Sequence, residues 1–206
     1  TTIQAGRFNT DRSAANPDMD KTTADYYAVQ FDYAQDKWTG QAGYYLFKDY
    51  FKEKTINLGD KTLSSADFDT DELSLWNVGL GYKFDDNFKI AGNYAENTKG
   101  EGYNTTGDFT VQGDESKAYS VELTYKGYDT KDPGSWDAFV AYRYLGAMVA
   151  IGPVYKGAWT DQKGIEFGVE FVPAENVLAT LKYFDGKDIS TDQDASKFFG
   201  QLELQF

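Results

Sequence analysis

The sequence predicts an all-β protein, an antiparallel transmembrane β-barrel, and three observations carry that expectation. Apolar and polar residues alternate with a period of two in ten runs of about ten residues. The apolar phase is rich in rings, since aromatics make up 17% of the 206 residues while hydrophobic residues total only 41%. Connections between the runs alternate short and long, the rhythm of barrels with tight turns on one side of a membrane and loops on the other.

The runs fall near 2–9, 25–34, 37–48, 74–84, 88–96, 117–126, 136–146, 164–171, 177–185 and 197–206. The chain is strand-like from Ile3 onward. The second and third runs carry Tyr27, Val29, Phe31, Tyr33 and Trp38, Ala42, Tyr44, Leu46 on one phase. In the fourth, Trp76, Val78, Leu80, Tyr82 and Phe84 alternate with Asn77, Gly79, Gly81 and Lys83. Phe88, Ile90 and Tyr94 mark the fifth; Tyr119, Val121, Leu123 and Tyr125 the sixth, with Ser120, Glu122 and Thr124 opposite. Trp136, Ala138, Val140, Tyr142 and Tyr144 follow, then Ile165, Phe167, Val169 and Phe171 against Glu166, Gly168 and Glu170. The last two runs carry Val177, Ala179, Leu181, Tyr183 and Phe198, Leu202, Leu204, Phe206. A soluble sandwich or ligand-binding barrel also alternates, but its apolar phase points inward and is usually aliphatic. Here Trp and Tyr gather near strand ends with small and charged residues opposite, which fits a lipid-facing wall.

Short connections are expected at 35–36, 85–87, 127–135 and 172–176, long ones at 10–24, 49–73, 97–116, 147–163 and 186–196. Across Asp85-Asp86-Asn87 the even residues stay apolar, so Phe84 is expected opposite Phe88 with Asn87 left-handed. A helical span is excluded: the longest candidate, Leu145 to Tyr155, is short of about 18 residues and broken by Gly146, Gly152 and Pro153.

Charge and composition narrow the function. With 20 Lys and Arg against 33 Asp and Glu, the net charge of −13 argues against nucleic acid as a partner. The chain contains no His, so nucleophilic hydrolases with an imidazole base and most zinc sites cannot be built, and it contains no Cys. An enzyme is not expected and no cofactor is implied. The lumen phase carries Arg7, Lys83, Lys89, Glu122, Asp137, Arg143, Glu166, Glu170, Lys182 and Glu203. In a porin these residues line an aqueous channel; in a small structural or adhesin-like barrel they pair into a filling network. Gly43, Gly79, Gly81 and Gly168 on the same phase are expected to leave the wall thin. Counting from the 172–176 turn with Phe171 opposite Val177 sets Glu166 against Lys182 as a cross-strand ion pair. Asp67, Asp69 and Asp71 are a weak Ca²⁺ candidate, lacking the Gly and distal Glu of an EF-hand loop, and a solvated acidic loop is the competing account. The connection 147–163 is apolar for an outer loop, and it either folds inward, packs on a neighbour or lies on the rim. Asp185, Asp188, Asp192 and Asp194 add to a negative outer face.

The final run, Lys197-Phe198-Phe199-Gly200-Gln201-Leu202-Glu203-Leu204-Gln205-Phe206, resembles the C-terminal assembly signal of bacterial outer-membrane barrels, with Phe206 as the terminal ring. From Lys163 onward, above all in "NVLATLKYFDGKD" and "FFGQLELQF", the chain is similar to the closing strands of the S-layer-homology-domain porins, the OmpM type of diderm Firmicutes. The resemblance covers the last 44 residues, the rest showing only the general barrel pattern. It implies that residues 1–206 form the C-terminal part of a larger porin barrel, of about 16 strands if it encloses a channel. It also implies a homotrimer in the bacterial outer membrane, with outer-membrane lipids, small hydrophilic solutes and ions as partners. The peptidoglycan-associated domain and coiled-coil stalk of that family cannot be read before Ile3.

Overall fold

A computed structural model describes residues 1–10, 22–49, 56–58, 61–63, 72–99, 105–106, 109–110, 114–149 and 157–205. All ten expected strands are present as β1 (Thr2–Thr10), β2 (Thr22–Gln35), β3 (Trp38–Lys48), β6 (Leu73–Lys83), β7 (Phe88–Asn97), β10 (Lys117–Gly127), β11 (Trp136–Leu145), β12 (Gln162–Ala174), β13 (Val177–Asp188) and β14 (Asp194–Leu204). Two small hairpins within the long connections supply β4 (Ile56–Leu58) with β5 (Lys61–Leu63), and β8 (Thr105–Thr106) with β9 (Phe109–Thr110). The ten long strands form one antiparallel meander, each strand beside its predecessor, and no helix occurs among the described residues. The sheet is open. β1 and β14 are its edges, so the closed barrel expected from the sequence is not what these residues form.

Alternation sorts the sheet into two faces. Directly opposed residues of an antiparallel pair share a face, and the registers set Val29 opposite Tyr44 and Tyr44 opposite Trp76, then Val78 opposite Tyr94, Tyr94 opposite Tyr119 and Tyr119 opposite Tyr144, all on one side. This is the ring-rich face, and it is exposed: Phe31, Leu80, Val121, Phe167, Leu181, Phe198 and Leu202 each leave half or more of their surface uncovered. The buried hydrophobic set is small, and Leu73, Leu75, Met148, Val149, Leu145, Ala158 and Phe184 lie in two clusters beside the long connections on the opposite, polar face.

Turn chemistry explains the strand ends at three of the short connections. Asp36 and Asn176 take left-handed φ values of 51° and 61° in two-residue turns, a conformation that Asp and Asn tolerate best after Gly. Phe84 donates its N–H to the Phe88 carbonyl at 2.9 Å, so the two rings are opposed as expected. Asn87 is not left-handed, however. The Asp85 carboxylate accepts the N–H groups of Asn87 (2.7 Å) and Phe88 (2.9 Å), and this side-chain turn closes the connection instead. Those two donors hold the Asp85 carboxyl below its ordinary range.

Two boundaries differ from the sequence reading for a common reason, which is that strands extend as far as their backbones can pair. The connection placed at 186–196 shrinks to 189–193, because Gly186 and Lys187 pair with Ala195 and Asp194. The turn placed at 172–176 shrinks to Glu175-Asn176, and a bulge between Phe171 and Ala174 takes up Val172 and Pro173. Pro173 cannot donate to a ladder, while Val172 is fully buried and exchanges hydrogen bonds with Gly134 and Ser135 of the 128–135 connection.

Candidate functional site

The polar face of β6 to β14 is where the charged side chains gather. Glu122, Ala141, Glu166 and Phe184 form one row across β10 to β13, and Ser120, Arg143, Gly164 and Gly186 form the next toward the long connections. Arg143 therefore stands diagonally between two carboxylates. Its guanidinium reaches Glu122 at 2.6 Å and Glu166 at 2.9 Å, with a further hydrogen bond from Nε to Glu166 at 3.0 Å. The Arg143 and Glu166 side chains are 3% and 0% exposed, whereas Glu122 keeps 29%.

The expected Glu166–Lys182 pair does not form. The bulge moves the β12–β13 register by two residues, so Gly168 faces Lys182 and Phe184 faces Glu166. A two-residue shift preserves the face and changes the partner, and Glu166 takes Arg143 from the other neighbouring strand instead. Lys182 lies 5.0 Å from the Phe139 ring, which itself covers Gly168 so closely that any Cβ there would collide with it. The glycines therefore do not thin the wall. Gly43 lies beneath Tyr45 and Asn77, Gly79 beneath Gln41 and Asn93, and Gly81 beneath Thr39.

Lys83, Lys89, Asp137, Glu170 and Glu203 also sit on the polar face, where Asp137 is opposed to both Lys126 and Glu170. Arg7 does not. It is opposed to Asp25 in the row next to Ala5 and Tyr27, on the ring-rich face, and it forms an exposed ion pair with Asp25 at 2.6 Å. The two large apolar residues of the run 2–9, Ile3 and Phe8, fall on opposite phases and fix neither, and this is why the assignment of Arg7 to the lumen fails. Phe206 and the acidic residues Asp67, Asp69 and Asp71 lie outside the described residues. Among the described residues no group of acidic side chains gathers as a metal site.

The connection after β11 settles one open alternative, because both of its described ends fold over the polar face. Met148 and Val149 pack on Leu73 and Leu75, with Tyr45 and Phe47 alongside. Asn97 fixes this segment by donating to the Met148 carbonyl at 3.2 Å. At the other end Gly157 lies directly on the Glu166 carboxylate, and Ala158 packs with Leu145 and Phe184. This second contact is what removes the Arg143–Glu166 pair from water. Trp159 follows, 58% exposed, with the Lys197 ammonium 4.4 Å from its ring.

Aromatics mark both ends of the ring-rich face. At the turn end Trp38 packs on Tyr82, Tyr82 on Phe84, Phe88 on Tyr125, and Tyr125 on Trp136. At the loop end Trp76 meets Tyr94, and Tyr119 stacks on Tyr144 at 4.8 Å. Lys126, in a left-handed conformation at the end of β10, places its ammonium 4.5 Å over the Trp136 ring. From Trp136 to Tyr144 the strand rises about 26 Å.

Several residues that shape this surface escape the sequence reading. Phe139 and Phe184 occupy the polar phase, and the signal was present in the unbroken apolar runs Ala138-Phe139-Val140 and Tyr183-Phe184. Glu115 and Asp161, both buried, carry no local pattern that reveals them. No protein-family model and no curated protein matches the chain.

Proposed function

We propose that the chain forms part of the wall of an outer-membrane porin, through which small hydrophilic solutes and ions diffuse passively. The observation that carries this reading is the inverted distribution of polarity. Some 25 large apolar side chains stand exposed on one face of the sheet, an area on the order of 2,000 Å², whereas soluble monomers rarely expose patches above about 600 Å². In hydrocarbon that face is satisfied, and the backbone groups of each inner strand are already paired. The two aromatic belts lie ~26 Å apart along the strand, which a tilt of about 40° reduces to about 20 Å of height, somewhat less than the band about 25 Å tall of outer-membrane barrels.

The opposite face supplies a polar path. Gln30, Gln41, Asn77 and Asn93 give its β2–β7 portion uncharged amides, joined at the turn end by Lys83 and Lys89, and the β10–β14 portion carries the remaining fixed charges described above. Met148 and Val149, folded across it, narrow the passage from the loop end. The unpaired edges of β1 and β14 accept further strands, so a larger barrel of about 16 strands, assembled as a homotrimer, is part of the proposal. Residues 1–206 then form its C-terminal portion.

A specific feature favours the alternative, a structural barrel with a filled lumen: Arg143, Glu166, Phe139 and Phe184 close part of the polar face tightly. Conductance separates the two. The intact protein from its native membrane, inserted in a planar bilayer, is expected to give stable stepwise ion currents. Insertion without current favours the filled barrel and contradicts the porin.

A further inference from the structure

Three connections meet at the loop end of the sheet around two carboxyl groups. Glu115 precedes β10, Asp161 precedes β12, and Ser190 lies in the turn after β13; all three are buried. The Glu115 carboxylate oxygen Oε2 accepts the Ala147 N–H at 2.6 Å, and its main-chain carbonyl accepts the Met148 N–H at 3.0 Å. Glu115 is thus the anchor of the segment that folds across the polar face. Asp161 accepts the N–H and hydroxyl of Ser190 at 2.8 and 2.6 Å, donates its own N–H to the Leu145 carbonyl at 2.7 Å, and accepts the Ile189 N–H at 2.8 Å. The remaining Glu115 oxygen, Oε1, is buried and finds no N–H or hydroxyl donor.

We propose that Glu115 holds a proton beside Asp161, and that this proton is the latch that fastens the inward segment Ala147–Val149 to the outer rim. A proton on Glu115 turns a repulsive contact between two buried carboxylates into a hydrogen bond, and it gives the otherwise unpartnered oxygen a role. Burial first, and the neighbouring Asp161 second, push the Glu115 carboxyl up to about 9. The other charged and titratable groups around it do not offset this. Asp114 on the same connection is another acid, and its carboxylate engages the Lys117 ammonium at 2.7 Å. From β11 Tyr144 accepts the Asp114 N–H through its hydroxyl, and at the end of β13 Asp188 is a further acid, held by Gln162.

The direction follows from linkage. The fastened state holds a proton that the released state gives up near pH 4.5, so fastening is strongest below that value and weakens as pH rises toward about 9. Between those limits the released fraction grows by at most about tenfold per pH unit. On the porin reading, the passage is narrow in acid and widens in mildly alkaline conditions, but the latch itself does not depend on conduction.

The chain has no cysteine, so Met148→Cys gives a single reporter in the full-length protein. Its alkylation rate, normalised to that of an exposed control, Lys131→Cys, is to be followed from pH 6 to pH 9. The expected result is a rise of tenfold or more, abolished when Glu115→Gln replaces the titrating acid with a group that always donates. An equal rise with Glu115→Gln, or no rise in the parent, overturns the proposal. Infrared difference spectra of the otherwise unaltered protein provide a second reading. A protonated carboxyl band must be present at pH 6 and fade toward pH 9, and its absence at pH 6 also overturns the latch. Neither reading requires a channel, so failure of the porin assignment leaves a distinct signature.

Discussion

Replacing Arg143 by Met tests whether the charged cluster on the polar face is a buried structural unit or a water-exposed lining. The substitution keeps most of the aliphatic stem and removes the guanidinium. Glu166, 0% exposed, then loses the cation that neutralises it, while Glu122 at 29% exposure still reaches water. Breaking a buried pair from one side costs about 3–5 kcal/mol, against about 0–1 kcal/mol for an exposed pair. With a urea slope of about 2 kcal/mol/M, the unfolding midpoint in detergent micelles or vesicles falls by about 1.5–2.5 M. Pairing Arg143→Met with Glu166→Leu removes both charges, and most of the loss should then be recovered, because a well-packed apolar pair often replaces a buried ion pair without penalty. A loss below about 1 kcal/mol for the single variant, or a double variant as unstable as the single, refutes the burial of this cluster beneath Gly157.

Two further outcomes follow from the same face. Gly168→Ala drives a Cβ into the Phe139 ring and should cost about 1–3 kcal/mol, whereas Gly200→Ala, whose Cβ would meet only Leu181 at 3.4 Å, should be nearly neutral; equal stability in thermal or urea unfolding contradicts the covered glycine. Lys182→Glu should raise cation over anion permeability, by up to about thirtyfold for ions about 8 Å away in water, since a two-unit change there favours a cation by ~1 kcal/mol and disfavours an anion by as much. Reversal potentials across a salt gradient measure it, and an unchanged value in a folded, conducting variant removes Lys182 from the path.

Strand positions and faces were legible because the period of two persists through ten segments and side chains obey it strictly. Partners across the sheet were not. The register between β12 and β13 depends on whether Pro173 sits in the turn or in a bulge, and both choices keep Glu166 and Lys182 on the same face. Only the position of Val172 against Gly134 and Ser135 distinguishes them, a contact with a segment about 40 residues away in sequence. Arg7 failed for the opposite reason, since β1 has too little apolar character to set its own phase and takes it from β2 through Asp25. Glu115 and Asp161 were invisible because buried acids in loops are defined by the folded connections that enclose them. The inward course of Ala147–Val149 was half legible: the apolar composition of the 147–163 connection left folding inward, packing on a neighbour and lying on the rim as alternatives, and Leu73 and Leu75, the receiving surface, belong to a strand more than 70 residues earlier.

The central claim is that the ring-rich face meets hydrocarbon, and the four tryptophans test it directly. Trp38, Trp76 and Trp136 belong to that face, and Trp159 lies beside Lys197 of the polar face. Single-tryptophan variants in vesicles of lipids brominated along their acyl chains should show strong fluorescence quenching for the first three and little for Trp159. Unquenched emission from Trp38 and Trp136 in the folded protein, or equal quenching of all four, contradicts the account.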